Sequence, residues 1–353
     1  MKSEIYENTQ HIRRSFGRKI KVFDPLSPTY GYDPFYVFNK TNNQAQEAEA
    51  IAMALIPLPP DIKDPFWIQN AQNLFTGLIL HFYNKNLPFI GAITEILSNP
   101  IMKLVDDIYD HTEIPDVKLY LNAFRDMPVK TLASVYAELS RHIMVFATDK
   151  NIKECFSQIE KITPDDLEQG IDVFICIPEH LLRQWKNLLT LIVSQFIRHC
   201  EQRPDRTAKP ILFLLDEFPR LGKIEFATEA FTTLRSKGIT MCIAIQSLAQ
   251  LDLTYGEHTR RVIADNCQYK AIFNATDADS QAYFSKLVGT YDKTKVSTDK
   301  RFAPITGFPA GTGRHITTEE KPKIKPEDFA TLDKIALFTP MGFFRVDRIP
   351  YYK

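Results

Sequence analysis

The 353-residue chain has no uninterrupted run of 18 apolar residues, and even the stretch from Asn73 to Tyr83 is broken by His81. No transmembrane helix is therefore expected within it. Its first residues, Met-Lys-Ser-Glu-Ile-Tyr-Glu, lack the apolar core of a secretory signal. Net charge is missing too: 43 basic residues balance 43 acidic ones, so overall charge argues neither for nor against nucleic acid. The five cysteines, Cys155, Cys176, Cys200, Cys242 and Cys267, include no C-x-x-C pair. Their spacing argues against a zinc framework, and reduced, buried thiols of a cytosolic protein are the expectation. None of the eight histidines has a partner at i+4, so no metal other than magnesium is anticipated. Most consequential, none of the thirteen glycines falls in the phosphate-loop pattern G-x-x-x-x-G-K-[ST]. Gly222-Lys223 is followed by Ile224. Gly307 to Arg314 has glycines at the wrong spacing and no lysine, and the polar, unperiodic stretch Lys293 to Gly313 around it is expected to be a mobile loop.

What the chain does have is apolar bulk, 44% of residues, enough for one large or two ordinary domains of a soluble globular protein. Its most informative stretch is Ile211 to Glu217, five apolar residues followed by two carboxylates. Apolar residues on both faces suit a buried parallel strand, and open α/β sheets bind ligands just beyond the carboxyl ends of such strands. Asp216 would then hold a nucleotide-borne magnesium ion, and Glu217 would orient an attacking water. The competing reading is that two acids merely cap the next helix or stay solvated. A helical stretch to about Lys237, then Gly238 and the apolar run Met241 to Ile245, lead to Gln246. A second buried strand with an amide at its tip, one helix after the acids, completes a βαβ unit with a marked edge.

The remainder alternates in the same manner. Ile20 to Phe23 reads as a strand ending at Asp24-Pro25, and Pro28 to Pro34 as loop. From Gln44 to about Leu167 apolar residues recur at helical spacing, as in Ala71, Leu74, Phe75, Leu78, Ile79 and Phe82. Val173 to Ile177, Lys270 to Phe273, Ile335 to Thr339 and Phe343 to Arg348 read as further strands, with a helix at Leu181 to Cys200. The last two strands, joined by Pro340-Met341-Gly342, suit an antiparallel hairpin at the sheet edge. The expected fold class is α/β: a doubly wound, mostly parallel sheet carrying an all-helical insertion. Residues 1–85 and 161–353 would form the nucleotide-hydrolase domain, and residues 86–160 the insertion.

Leu215-Asp216-Glu217-Phe218, Leu221-Gly222 and Ala244-Ile245-Gln246-Ser247, with Leu248 and Gln250, resemble the motor core of type IV coupling proteins, the TraG-like ATPases of conjugation. Lys2-Ser3-Glu4-Ile5-Tyr6 is similar to that family's Lys-Gly-Glu-Leu-Tyr segment. Arg18 to Pro25, Asp64-Pro65-Phe66-Trp67, and Lys325-Pro326-Glu327-Asp328-Phe329 through to Tyr351-Tyr352 extend the likeness in collinear order over nearly the whole chain. The resemblance implies a RecA-like fold and ATP with magnesium as cofactors. It also implies a hexameric ring at the inner face of the cell membrane, passing relaxase-bound single-stranded DNA to a type IV secretion channel. In the family the phosphate loop lies one strand–helix–strand unit ahead of the Lys-Gly-Glu segment, as do the membrane helices. A cytoplasmic chain that binds ATP weakly by itself, and reaches the membrane through an anchor or partner, is the resulting expectation. A non-hydrolysing receptor whose helical insertion recognises substrate is the alternative. A double-strand DNA pump of the chromosome-segregation type also shares the acidic strand, but Asp64 to Trp67 and the large insertion argue against it.

Other residues carry weaker signals. Arg260 and Arg261 follow the Gln246 strand and a short loop, where a ring motor presents an arginine to a neighbour's phosphate; the plainer reading is a solvated helix face. Arg220 and Lys223 suit DNA, a subunit contact or a surface ion pair. Arg13, Arg14, Arg18, Lys19 and Lys21 form a basic cluster that suits a phosphate track or, more plainly, a solvated face. Trp67 and Trp185 are read as core rather than as base-stacking residues.

Overall fold

A computed structural model of the chain describes residues 3–60, 62–207, 209–224, 226–302 and 309–350, with backbone alone for 298–302 and 309–314. Tyr351-Tyr352 and the Gly307-Phe308 pair lie outside the described residues. The chain divides into two units, Met1–Ile245 with Leu251–Asn266, and Gln246–Gln250 with Cys267–Lys353.

The first unit opens with α1 (Glu4–Ser15) and β1 (Ile20–Phe23). The loop after β1 leads into α2 (Gln44–Leu55) and α3 (Phe66–Asn84). Asn43 caps α2 by accepting from the Gln46 amide at 3.1 Å. Five helices follow without an intervening strand: α4 (Phe89–Ser98), α5 (Ile101–His111), α6 (Pro115–Arg125), α7 (Val129–Thr148) and α8 (Lys150–Ser157). Prolines 88, 100, 115 and 128 stand at or beside helix starts, where a missing N–H costs nothing. On α7, Leu132, Val135, Leu139, Ile143 and Phe146 recur at helical spacing and are all buried. Gly77 of α3 is needed for a close approach: a Cβ there would stand 2.8 Å from Leu121 of α6. A chain of ring contacts joins these helices to the strands. It runs from Phe23 through Tyr32 and Phe156 to Phe89, with centroids 6.4, 6.1 and 5.8 Å apart, and from Phe89 to Phe146 and Phe35 at 5.5 and 5.4 Å.

After the short α9 (Asp165–Glu168), β2 (Asp172–Ile175) returns to pair in parallel with β1, Ile20 opposite Asp172. Asp172 accepts Arg13 Nε and Nη2 at 2.6 and 3.0 Å and Arg18 Nη2 at 3.2 Å, and Asp166 accepts Lys21 at 2.8 Å. Much of the basic cluster near the start is therefore engaged in closing α1 and β1 onto β2. Next comes α10 (Lys186–Glu201), from Leu188 to Ile197 buried at every position, and its Gln195 bonds Tyr32 and the Pro34 carbonyl. Then β3 (Ile211–Leu215), α11 (Ala227–Thr233) and β4 (Ile239–Ile243) form a second parallel pair, with α12 (Leu248–Tyr255) and α13 (Glu257–Asn266) beyond it.

The second unit contains β5 (Lys270–Ile272), α14 (Ala278–Val288), β6 (Thr290–Phe302), β7 (Pro309–Pro322), β8 (Ile335–Thr339) and β9 (Gly342–Val346). β5, β8 and β9 form an antiparallel sheet in that order, so the expected terminal hairpin is present but pairs with β5. β6 and β7 form a long antiparallel hairpin. The mobile loop expected over Lys293 to Gly313 is wrong for its described residues: most are laddered strand, built from Thr, Lys and Gly with almost no apolar alternation to reveal them.

Burial and strand register also correct four expectations. β3 is not hidden on both faces: Ile211, Phe213 and Leu215 are buried, while Leu212 and Leu214 are 60% and 44% exposed. β4 ends at Ile243 rather than Ile245, because regular pairing with β3 stops at Leu215↔Ile243. Cys242 shares the open face and is exposed, whereas burial pushes the thiols of Cys155, Cys176 and Cys200 up to about 12, 11 and 12. Trp185 is fully buried and donates its indole N–H to Asp149 at 2.9 Å, but Trp67 is 41% exposed at the start of α3, edge-on to Phe66.

Two measurements follow from this packing. Timed alkylation of the native chain with peptide mapping is expected to label Cys242 first and to leave Cys155, Cys176 and Cys200 unlabelled until the fold opens. Burial disfavours the charged form of Asp172, but the hydrogen bonds from Arg13 and Arg18 outweigh it and hold the carboxyl below its ordinary range. A folded pKa below the unfolded one contributes stability above the unfolded value, and that stability is lost as pH falls through the folded value. Asp172→Asn should cost on the order of 1–2 kcal/mol in urea unfolding at pH 7, the solvent-exposed arginines keeping the figure small. The cost should shrink as pH falls through the lowered folded value, where the carboxyl is protonated in both states.

Candidate functional site

The acids sit where β3 stops. Its ladder with β4 is carried past Leu215 by two further hydrogen bonds, Ala244 N to Leu215 O and Phe218 N to Ala244 O, both 3.0 Å. Between them the chain must turn at Asp216 and Glu217. Glu217 adopts the left-handed conformation, φ 50° and ψ 47°, which a side-chain-bearing residue adopts at a cost of about 1–2 kcal/mol. A 3-10 turn over Phe218–Leu221 follows, and Arg220 N returns to Glu217 O at 2.8 Å.

Three contacts hold this turn. Phe218 is fully buried, stacked on Tyr255 of α12 at 5.4 Å and edge-on to Phe231 of α11 at 5.9 Å. The Tyr255 hydroxyl accepts from Ile224 N and donates to Gly222 O, both at 3.3 Å. Thr190 of α10 donates to Leu221 O, drawing the turn against that helix. Gly222 itself has φ 93°, and a Cβ there would meet Thr190 Oγ1 at 2.6 Å and Lys186 Cε at 2.7 Å, so no other residue fits. Phe218, Tyr255, Thr190 and Gly222 thus position the acids. Sequence reasoning assigned Tyr255 and Thr190 no such role, and Phe218 entered only as part of the Leu215-Asp216-Glu217-Phe218 resemblance, although an aromatic directly after paired acids is a usable signal.

The two acids differ in company. Glu217 Oε2 lies 3.4 Å from Arg220 Nη1, and the same guanidinium nitrogen is 3.0 Å from Glu179 Oε1. The hydrogen bond to Glu179 and the charge of Glu217 raise the Arg220 pKa further. Asp216 is half-buried and makes no hydrogen bond or ion pair with the described residues. Lys223 donates to the Leu58 carbonyl at 3.1 Å. Arg260 on α13 is largely covered, 2.8 Å from Asp252 and 3.7 Å from Glu257, while the exposed Arg261 reaches Glu257 at 2.5 Å. Gln246 belongs to the second unit, three residues beyond the end of β4, where it is exposed and accepts from Gln250 Nε2 at 3.2 Å.

The first unit therefore brings Asp216, Glu217 and Arg220 together at one strand end, and places Arg260 and Arg261 on a separate helix already paired with acids. Among the described residues no group of three or more acids, histidines or cysteines could enclose a metal ion. Two adjacent carboxylates suit a magnesium ion that arrives with phosphate oxygens completing its shell, rather than one held by protein alone. No described helix is long and apolar enough to cross a membrane.

Comparison with known proteins agrees with this architecture. The chain is 26% identical over 365 aligned positions to the VirD4 protein of Rhizobium rhizogenes, covering all of this chain and 54% of the relative. It is 25% identical over 302 positions to the conjugal transfer protein TraG of Agrobacterium fabrum, covering 81% of this chain and 45% of the relative. The chain thus spans about half the length of the curated relatives it matches. Among solved structures, the conjugative coupling protein TrwB in a trigonal form with sulphate aligns with TM-score 0.69 at 15% identity, over 96% of this chain and 80% of that one. TrwB in complex with ADP and Mg2+ aligns with TM-score 0.63 at 15% identity, over 94% and 74%. At such identity the likeness speaks for the fold alone, which is RecA-like α/β. The family model described as type IV secretory system conjugative DNA transfer matches residues 1–338, and the chain belongs to that family.

Proposed function

We propose that the chain is the motor part of a coupling protein, linking relaxase-bound single-stranded DNA to a type IV secretion channel by ATP hydrolysis in a hexameric ring at the membrane's inner face. The observation that carries this reading is the strained turn presenting Asp216 and Glu217 at the carboxyl end of a parallel strand, where α/β sheets place ligands. Asp216 would hold the metal ion that accompanies the nucleotide, and that ion would neutralise charge developing on the phosphates. Glu217 would orient and deprotonate the attacking water, with Arg220 setting its position. Gln246 would read the terminal phosphate, and Arg260 or Arg261 would serve a neighbouring subunit's site. For Arg260 this requires release from Asp252.

The chain by itself is expected to hold ATP weakly or not at all. Backbone amides at a helix start, a lysine and a hydroxyl normally cradle the phosphates, and no G-x-x-x-x-G-K-[ST] pattern supplies them here. The open face of Leu212, Leu214 and Cys242 suits a packed strand–helix unit bearing that cradle, since parallel sheets are ordinarily covered on both faces. Titration calorimetry of the purified chain with Mg-ATP should show no tight site. Single-site binding at micromolar affinity or better would refute this.

A second reading is a receptor that does not hydrolyse ATP, and the tightly packed, strand-free run from α4 to α8 favours it. There, residues 86–160 would recognise the relaxase while the strands serve as scaffold. Glu217→Gln in the working transfer apparatus separates the two. The motor reading expects the frequency of conjugative transfer to fall by about 10²-fold or more, the usual size of a lost general base. The receptor reading expects no change.

A further inference from the structure

The hairpin of β6 and β7 is the least explained part of the chain. Thirteen residues of β6 ladder against β7 from Thr290↔Pro322 to Phe302↔Pro309, a reach of about 44 Å at strand rise. Its root is fixed to α14, where Ser285 donates to Ile324 O at 2.6 Å and Lys323 N to Gly289 O at 3.0 Å. Beyond the root, every residue of 291–297 and 315–320 is exposed, so both faces stand in solvent. A two-stranded ribbon with neither face covered is marginal by itself, and a ribbon of this length is suited to being covered by a partner.

The two faces differ. Opposed residues of an antiparallel pair share a face, and faces alternate along each strand. One face carries Lys293, Lys295, Lys321 and His315 with Tyr291, Ser297 and Thr317; Glu319 is its one acid among the residues with described side chains, and it lies 3.4 Å from Lys321 Nζ. The backbone register carries that face on to Gly313 and Gly311, and a glycine in a strand admits close approach of another backbone. The opposite face carries Asp292 and Glu320 around an exposed Val296–Ile316 pair.

We propose that the hairpin is a nucleic-acid arm, laying its Lys293, Lys295 and Lys321 face along the phosphates of a DNA strand. The inference rests on the DNA-transfer reading above and assigns to it a surface remote in sequence from the acid turn. Positive charges on one face, hydroxyls between them and glycines ahead match a polyanion, whereas the apolar pair lies on the other side.

The test is fluorescence anisotropy of a labelled oligothymidylate of about 30 nucleotides across a salt series. It compares the unaltered chain with the triple variant Lys293→Gln, Lys295→Gln, Lys321→Gln, all three at surface positions where loss of folding is not expected. Loss of three phosphate contacts to a single strand should lower the slope of log affinity against log salt by about 2. Affinity should weaken on the order of a hundredfold at about 0.1 M salt, that slope difference carried over the decade up to about 1 M. Asp292→Asn with Glu320→Gln, on the opposite face, should leave the slope unchanged. If the unaltered chain binds and the triple variant matches it in affinity and slope, the arm is refuted while the DNA-transfer reading stands. If the unaltered chain binds no DNA at all, both fail together. Self-association that disappears in Val296→Ser with Ile316→Ser, while the triple variant binds DNA normally, would make the hairpin a contact between copies and overturn the proposal. A duplex probe preferred over the single strand would keep the arm and change its substrate.

Discussion

The site depends on one backbone constraint: past the last β3–β4 pair Ala244 bonds both Leu215 O and Phe218 N, so the chain must reverse within Asp216 and Glu217. That reversal forces Glu217 into a conformation costing about 1–2 kcal/mol. Burial of Phe218 against Tyr255 and Phe231 offsets it, since enclosing an aromatic side chain stabilises by about 1.5–3 kcal/mol, with stacking adding to that. Strain retained next to two carboxylates, and held by well-packed neighbours, is the pattern expected of a site rather than of an ordinary turn.

Much of this was legible in the residues. Ile211 to Leu215 announced a strand through apolar density and bulk, and Asp216-Glu217 announced its end. The helical run from Gln44 onward showed in the spacing of residues such as Leu74, Leu78 and Phe82, because a buried helix face repeats every 3.6 residues. Failures came where one-dimensional pattern and burial part company. Leu212 and Leu214 look as buried as Phe213 in the sequence, yet only tertiary packing decides which side of a strand is covered. Trp67 has the composition of a core residue but stands at a helix start, where half its surroundings are solvent. The β6 and β7 residues carry strand conformation through cross-strand hydrogen bonds alone. Their Thr, Lys and Gly content is what a loop displays, so the period-two signal never rises above the background.

The charged residues show the same division. Arg13 and Arg18 belong to a cluster that suits a phosphate track or, more plainly, a solvated face, and instead both converge on Asp172 and join α1 to the β1–β2 pair. Arg220 is likewise absorbed by Glu217 and Glu179. Lys293, Lys295 and Lys321 are less conspicuous in the sequence because acids are interleaved with them. Register sorts the charges into unlike faces, which linear order conceals. Neutral net charge thus coexists with local polarity.

The fit of Gly222 against α10 has a mechanical consequence. With no room for even one added carbon between the turn and Thr190, and with α10 enclosed along most of its length, the segment behind the acids has no slack to absorb displacement. A displacement of that turn would therefore bear directly on the helix. The helix also holds Tyr32 and Pro34 through Gln195, so a load applied behind the carboxylates would reach the loop after β1 in the same unit.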